Sequence, residues 1–192
     1  MPRTYTLKER ARRQAETHRR IVEAAVELHS TVGPAATTLS MIAARAGVQR
    51  HTLYAHFPEE RALFLACSEL ATSRDPLPDA EGWRGIADRE ARLRVGLTAI
   101  YAWYERNASL LACVLRDAEH HALTREVHEQ RAGPAVAAWH DVLGAELSAA
   151  QRAMLHLALS FFTWRTLVQD GRLDRPVAVE IMARAIEQAE RP

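Results

Sequence analysis

Residues 37–57 read TTLSMIAARAGVQRHTLYAHF, and the fold turns on how they are read. Leu39, Ile42, Ala43 and Ala46 recur at helical spacing and mark one buried face. Either Thr38 or Ser40 can cap that helix, because a side-chain oxygen accepts from a backbone N–H that has no partner inside the helix. Gly47 offers the positive φ at which a helix ends, and Val48 is an apolar plug behind it. A second short helix follows from Gln49 to His56. It buries Leu53 and Phe57 and projects Gln49, Arg50, His51 and Thr52 from its opening turn. Two helices crossing at such a turn can set the second against base edges in the major groove. An ordinary helical hairpin with its polar side chains in water fits the same pattern.

The continuation, TLYAHFPEERALF, separates the two readings. Thr38, Ile42, Ala43, Ala46, Gly47, Val48, Thr52, Leu53, Tyr54, His56, Phe57 and Leu63 closely resemble the signature of the TetR family of bacterial transcriptional repressors. The resemblance covers about Ile21 to Leu63; beyond it only the helical layout is similar. It implies phosphate contacts from Tyr54 and His56, while Gln49, Arg50, His51 and Thr52 on the opening turn, with Thr38, are the other candidate DNA-contacting residues. The family often carries Lys three residues after the Phe. Glu60 stands there in this chain and cannot grip phosphate, which leaves Arg61, one residue round the helix, as the substitute.

Charge is distributed as a DNA-reading head requires. Residues 1–61 hold ten Lys or Arg against six Asp or Glu, while the remainder is mildly acidic, as expected if the head is the part that meets the DNA backbone. Arg3, Lys8, Arg10, Arg12 and Arg13 belong to this basic start. Residues 1–8 lack periodicity and are expected to form a flexible arm that follows the DNA backbone or enters the minor groove, or is simply solvated. A helix from about Glu9 to Val32 then braces the head. With 192 residues there is length for a sizeable core. No apolar run has transmembrane length and the polar N-terminus is no signal peptide, so the expected location is cytoplasmic. Cys67 and Cys113 lie in apolar helical patterns and read as buried thiols.

Further along, the spacing implies an all-α chain of about nine helices. Residues 1–57 are expected to be the DNA-binding helix–turn–helix domain and 58–192 the ligand-binding and dimerisation domain. A fourth helix starts at Pro58; residues 75–83 form a loop; two helices, about Trp83–Arg106 and Asn107–Ala118, are separated by Asn107 as an N-cap. A seventh helix, about Thr124 to Leu143, should be kinked or split at Gly133-Pro134, which can open space for a ligand. Residues 149–168 are apolar around most of the circumference, so that helix must be covered on all sides. The last helix is about Val177 to Ala189. Met154, Leu157, Phe161, Trp164, Val168, Met182 and Ile186 are the expected faces of a symmetric four-helix dimer interface, the competing reading being a monomer with a central core helix.

Candidate chemistry beyond DNA reading is sparse. His120, His121 and His128 lie near Asp117 and Glu119, but neither a Cys cluster nor an HExxH run accompanies them, so a polar rim is expected rather than a metal site. Nucleophile motifs and Gly-rich phosphate loops are missing; no catalytic residue and no cofactor is expected. Resemblance to the family implies a small-molecule pocket in the C-terminal helices, where the aromatics concentrate. Trp103, Tyr104, Trp139, His140 and Phe162 are the candidate ligand residues for an apolar or aromatic effector. The sequence thus reads as a homodimeric repressor of palindromic operator DNA, with a helical protein-interaction module or an enzyme using the C-terminal cavity as alternatives.

Overall fold

The structure, a computed structural model, describes residues 2–189, with side chains from Lys8 onward. Among the described residues there are ten α-helices and no strand. In chain order these are α1 (Pro2–Thr31), α2 (Leu39–Ala46), α3 (Arg50–His56), α4 (Glu60–Arg74), α5 (Glu81–Arg84), α6 (Arg89–Ala118), α7 (Ala122–Leu143), α8 (Ala149–Ala158), α9 (Phe161–Trp164) and α10 (Arg175–Gln188). A π-helical turn, Arg165–Asp170, continues α9. The chain forms two compact units, Met1–Pro76 with Ser109–Arg131, and Leu77–Ala108 with Ala132–Pro192.

In the first unit α1 begins at Pro2, well ahead of Glu9, because proline is tolerated in a first turn and nothing before Glu9 breaks the helix. The arm expected over residues 1–8 is therefore helical backbone from Pro2; Met1 and the Arg3 side chain lie outside the described residues. Gly33, at φ +103°, ends α1, its N–H and that of Val32 both returning to the Leu28 carbonyl. α1 packs on α2 and α4 around Ile21, Ala25, Ile42, Leu53, Phe57 and Leu63. Pro58 and Glu59 precede α4 rather than open it. The end of α6 fastens the α1–α2 turn. The buried Asp117 carboxylate accepts from the Ala35 N–H at 2.9 Å, and Arg116 donates both to Asp117 and to the Val32 carbonyl. A Cβ at Gly33 would run into those two side chains, so glycine is required twice over at this turn.

The second unit corrects three sequence readings. Asn107 does not open a helix: its side chain donates to the Trp103 carbonyl at 3.0 Å within α6, which runs unbroken through it. α7 likewise runs through Gly133-Pro134, where the proline ring withholds one backbone bond without splitting the helix. The apolar run 149–168 is not one helix. It stops at Ala158 and restarts at Phe161, with Ser160 accepting from the Phe162 N–H at 3.2 Å as a new N-cap. Carbonyls freed by the break are taken up from α6, the Tyr101 hydroxyl donating to Ala158 at 3.0 Å and that of Tyr104 to Leu159 at 2.5 Å.

That break turns Phe161 and Trp164 inward. They join Tyr101 and Tyr104, while Met182 and Ile186 of α10 are buried with them in the core of the unit. A side chain such as Trp164, with 0 % of its surface exposed, has nothing to offer a partner, so these four are core residues rather than interface residues. Leu157 is the exposed member of the expected set, Met154 and Val168 are half-buried, and the surface also carries Phe162, Val177 and Ile181.

Candidate nucleic-acid interface

The helix–turn–helix is held by local chemistry at every joint. Thr38, not Ser40, caps α2, its hydroxyl accepting from the Met41 N–H at 3.2 Å. At the other end Gly47 adopts φ +63°, its N–H bonding the Ala44 carbonyl while the Val48 N–H reaches back to Ala43. This pair of reversed bonds is a Schellman ending, which needs a left-handed residue at Gly47. Arg20 of α1 donates to the Ala46 and Gly47 carbonyls, placing a cation on the negative end of α2. Arg20 is a positioning residue that the sequence reading missed, because its partners are carbonyls far along the chain and leave no local pattern. Arg45 is held by Glu27 of α1 at 2.7 Å.

α3 follows with Gln49 as its N-cap, one residue later than the periodicity suggests. Only Leu53 of the helix is buried, with Phe57 beyond it tilted against His18 at a 4.7 Å centroid distance. Gln49, Arg50 and His51 are exposed on the opening turn and Thr52 is half-buried beside them. Gln49 uses no side-chain bond for capping, so its amide is available. Tyr54 lies one turn on and is exposed, its hydroxyl 3.5 Å from the Arg50 guanidinium, while His56 is half-buried near His18. Thr38, also exposed, spends its hydroxyl on the cap and keeps a further lone pair.

Arg61 is engaged elsewhere. Its guanidinium binds Glu126 of α7 at 2.7 and 3.0 Å and reaches Gln130, so a phosphate contact must compete with a formed ion pair. On α1, Lys8, Arg10, Arg12 and Arg13 are exposed, with Arg12 beside Glu9. Arg19 is held between Glu16 and Glu23, and the Glu16 carboxyl is accordingly lowered by its hydrogen bond to Arg19.

Beneath the helix–turn–helix lies a buried polar group. His29 stands 3.4 Å from the Cys67 sulfur and against the Phe64 ring. Burial pushes the imidazole down to about 4, against the pull of Asp117 and with some help from His121, and pushes the Cys67 thiol up to about 12. Cys67 is therefore an inert thiol. Of the residues weighed for metal binding, Asp117 is committed to Ala35 and Arg116, and His121 bonds Thr124 at 2.7 Å. Among the described residues no group of three or more His, Cys, Asp or Glu is arranged to hold a metal.

The candidate ligand residues fall into separate places in the second unit. Trp103, Tyr104 and Trp139 are buried and come together, Trp103 lying 5.7 Å from Tyr104 and 6.4 Å from Trp139 by ring centroids. His140 instead stacks on His156 at 5.3 Å, and exposed Phe162 carries the Arg165 guanidinium over its ring.

Residues 21–67 match the family described as bacterial regulatory proteins, tetR family. No curated protein matches the chain. Solved structures share the fold over nearly its whole length. A Mesorhizobium loti chain described as a tetR-family transcriptional regulator is 17% identical over 92% of this chain and 96% of its own, with a TM-score of 0.61. A Clostridium perfringens chain described as a fatty acid metabolism regulator gives 16%, 90%, 99% and 0.63 for the same quantities. The Bacillus subtilis transcriptional regulator FadR, in complex with stearoyl-CoA, gives 15%, 90%, 98% and 0.59.

Proposed function

We propose that this chain, whose residues 21–67 form a tetR-family head, is a homodimeric transcriptional repressor that reads palindromic operator DNA through α3 and releases it on binding a small apolar or aromatic molecule. The observation that carries the reading is the opening turn of α3. It presents Gln49, Arg50 and His51 to solvent while Leu53 and Phe57 lock the rest of the helix to the core. Arg50 can make a forked contact with guanine, Gln49 a paired one with adenine. Tyr54, His56 and Thr38 suit backbone contacts, which fix register without reading sequence. Residues 1–57 are on this reading the DNA-binding domain and 58–192 the responding one.

Dimerisation is supported by the apolar surface of α8 and α10, which pack on each other. Leu157 and Ile181, 48 % and 43 % exposed, lie there with Val177 and half-buried Met154, a face that a second copy would cover. The aromatic group of Trp103, Tyr104 and Trp139 supports an apolar ligand; His140 and Phe162, engaged elsewhere, support it less. Two chains of the same fold are named for fatty acid metabolism or bound stearoyl-CoA, which favours an acyl-like effector. Ligand binding would favour a spacing of the two heads that mismatches the operator, a coupling of about 1–3 kcal/mol being sufficient. With DNA as its target the protein works in the cytoplasm. Selection from a random duplex pool, followed by a salt titration, tests the reading. Binding should fall by on the order of 1,000-fold between about 50 and 200 mM salt, whereas an interaction module or an enzyme would select no duplex.

A further inference from the structure

Four arginines of the second unit hold carboxylates. Arg94 holds Glu90, Glu180 and Glu187; Arg84 holds Glu81 and Asp141; Arg175 holds Glu105; Arg184 holds Glu180. Arg92, in the second turn of α6, differs from these four where the difference is most costly. It is the buried arginine of the unit, 7 % exposed, yet its guanidinium makes one bond, from Nη1 to the Ile86 carbonyl at 2.7 Å. Its Nε and Nη2 are buried without a hydrogen-bond partner, and no described carboxylate forms an ion pair with it. Arginine cannot relieve this by losing its proton. An uncompensated buried cation disfavours the fold, and an unbranched apolar side chain such as Met would fill most of the space without that cost.

The geometry of the two unused donors is specific. Nε and Nη2 lie on one edge of the guanidinium, the edge that meets two oxygens of a single carboxylate, phosphate or sulfonate side by side. Nη1, on the far side, is anchored by Ile86 and cannot swing to share them. The two carboxylates nearest along the chain are spent elsewhere, Glu90 on Arg94 and Asp88 on the backbone, its Oδ1 accepting from the Glu90 N–H at 3.2 Å.

We infer that Arg92 is an anion-binding residue, its Nε–Nη2 edge receiving the acidic group of a small molecule. The ligand class is an anion with two oxygens on one centre. That group is either the acidic head of the effector or free inorganic phosphate. The inference deepens the effector reading above and rests on it for the consequence at the operator, not for binding itself.

Calorimetric titration of the full-length protein with benzoate, decanoate and inorganic phosphate, and with benzyl alcohol and decanol as uncharged counterparts, tests it. Wild type should bind an anion about 10- to 100-fold more tightly than its uncharged counterpart, and Arg92→Gln should remove that difference while leaving the alcohols unaffected. Arg92→Lys keeps the charge but not the paired edge and should lie between the two. Arg92→Met should fold at least as stably as wild type, which separates an anion site from an anchor for Ile86. Preference for phosphate over both organic acids would assign the site to free phosphate; preference for an organic acid would assign it to the effector. Equal anion affinity in wild type and Arg92→Gln, or no anion binding by wild type, overturns the inference. A parallel measurement with operator DNA keeps the two readings apart. Anion binding that needs Arg92 but leaves DNA affinity unchanged upholds the site and overturns release by this effector. DNA release by an alcohol, with the anions silent, does the reverse.

Discussion

Lowering the pH should loosen the head from within, through His29. The imidazole is 4 % exposed, its Nδ1 faces the Cys67 sulfur, and its Nε2 is buried without a partner. Protonation would place a new N–H and a charge where nothing accepts either. Burial accordingly holds the ring down to about 4 from its ordinary 6.5. The unfolded chain therefore binds more protons between those values, and stability falls as pH falls through the window. The contribution is fully present above about pH 6.5. It is reduced by about 2 kcal/mol at pH 5 and by about 3 kcal/mol below pH 4, at about 1.4 kcal/mol per unit. Half-buried His128 and His140 are also lowered and slope the same way, so the difference between wild type and His29→Met isolates His29. Urea unfolding of both proteins across pH 4–7 measures it. Wild type should lose about 2–3 kcal/mol more than the variant. Parallel profiles would refute the reasoning.

Three further outcomes follow from the joints of the fold. Gly47→Ala places a side chain at φ +63° and against Arg20; it should cost about 1–2 kcal/mol in thermal unfolding and weaken duplex binding by tilting α3, and unchanged values for both would remove the Schellman ending from the account. Tyr104→Phe strips the Leu159 carbonyl of its donor inside the core and should destabilise by about 1–3 kcal/mol, an effect that vanishes if the helix break can close. Leu157→Glu with Ile181→Glu should leave a folded monomer in sedimentation, whereas Trp164→Glu should fail to fold; a dimer that persists in the double variant would place the interface elsewhere.

The head was legible because its constraints are local. A left-handed Gly47 and apolar residues at 42, 43 and 46 leave little freedom in residue choice, and the structure realises the turn as read. The all-α class followed from helical spacing alone. Partners distant in sequence were not legible. Arg61 looks free in the sequence, and only the folded chain brings Glu126 to it. The run 149–168 misled for a different reason. Apolarity on every side says that a helix is covered but not by what, so Phe161 and Trp164 read equally well as interface or core. Ser160 was the available signal for the break, a capping residue set between apolar ones, but only the Tyr101 and Tyr104 hydroxyls make that break stable. Arg92 gave no signal at all, since burial of a single charge is invisible in composition.

The central claim is that α3 reads bases with its opening turn and grips the backbone later. Arg50 and Tyr54, exposed one turn apart with their tips 3.5 Å from each other, allow the two roles to be separated by measurement. Binding of wild type, Arg50→Ala and Tyr54→Phe to a library of single-base variants of the selected operator tests it most directly. Arg50→Ala should lose about 1–3 kcal/mol on the preferred sequence and relax preference at one position per half-site, the two positions being related by a two-fold axis and about one helical turn, or a multiple, apart. Tyr54→Phe should weaken all sequences alike. Uniform weakening by Arg50→Ala together with altered base preference in Tyr54→Phe would contradict the account.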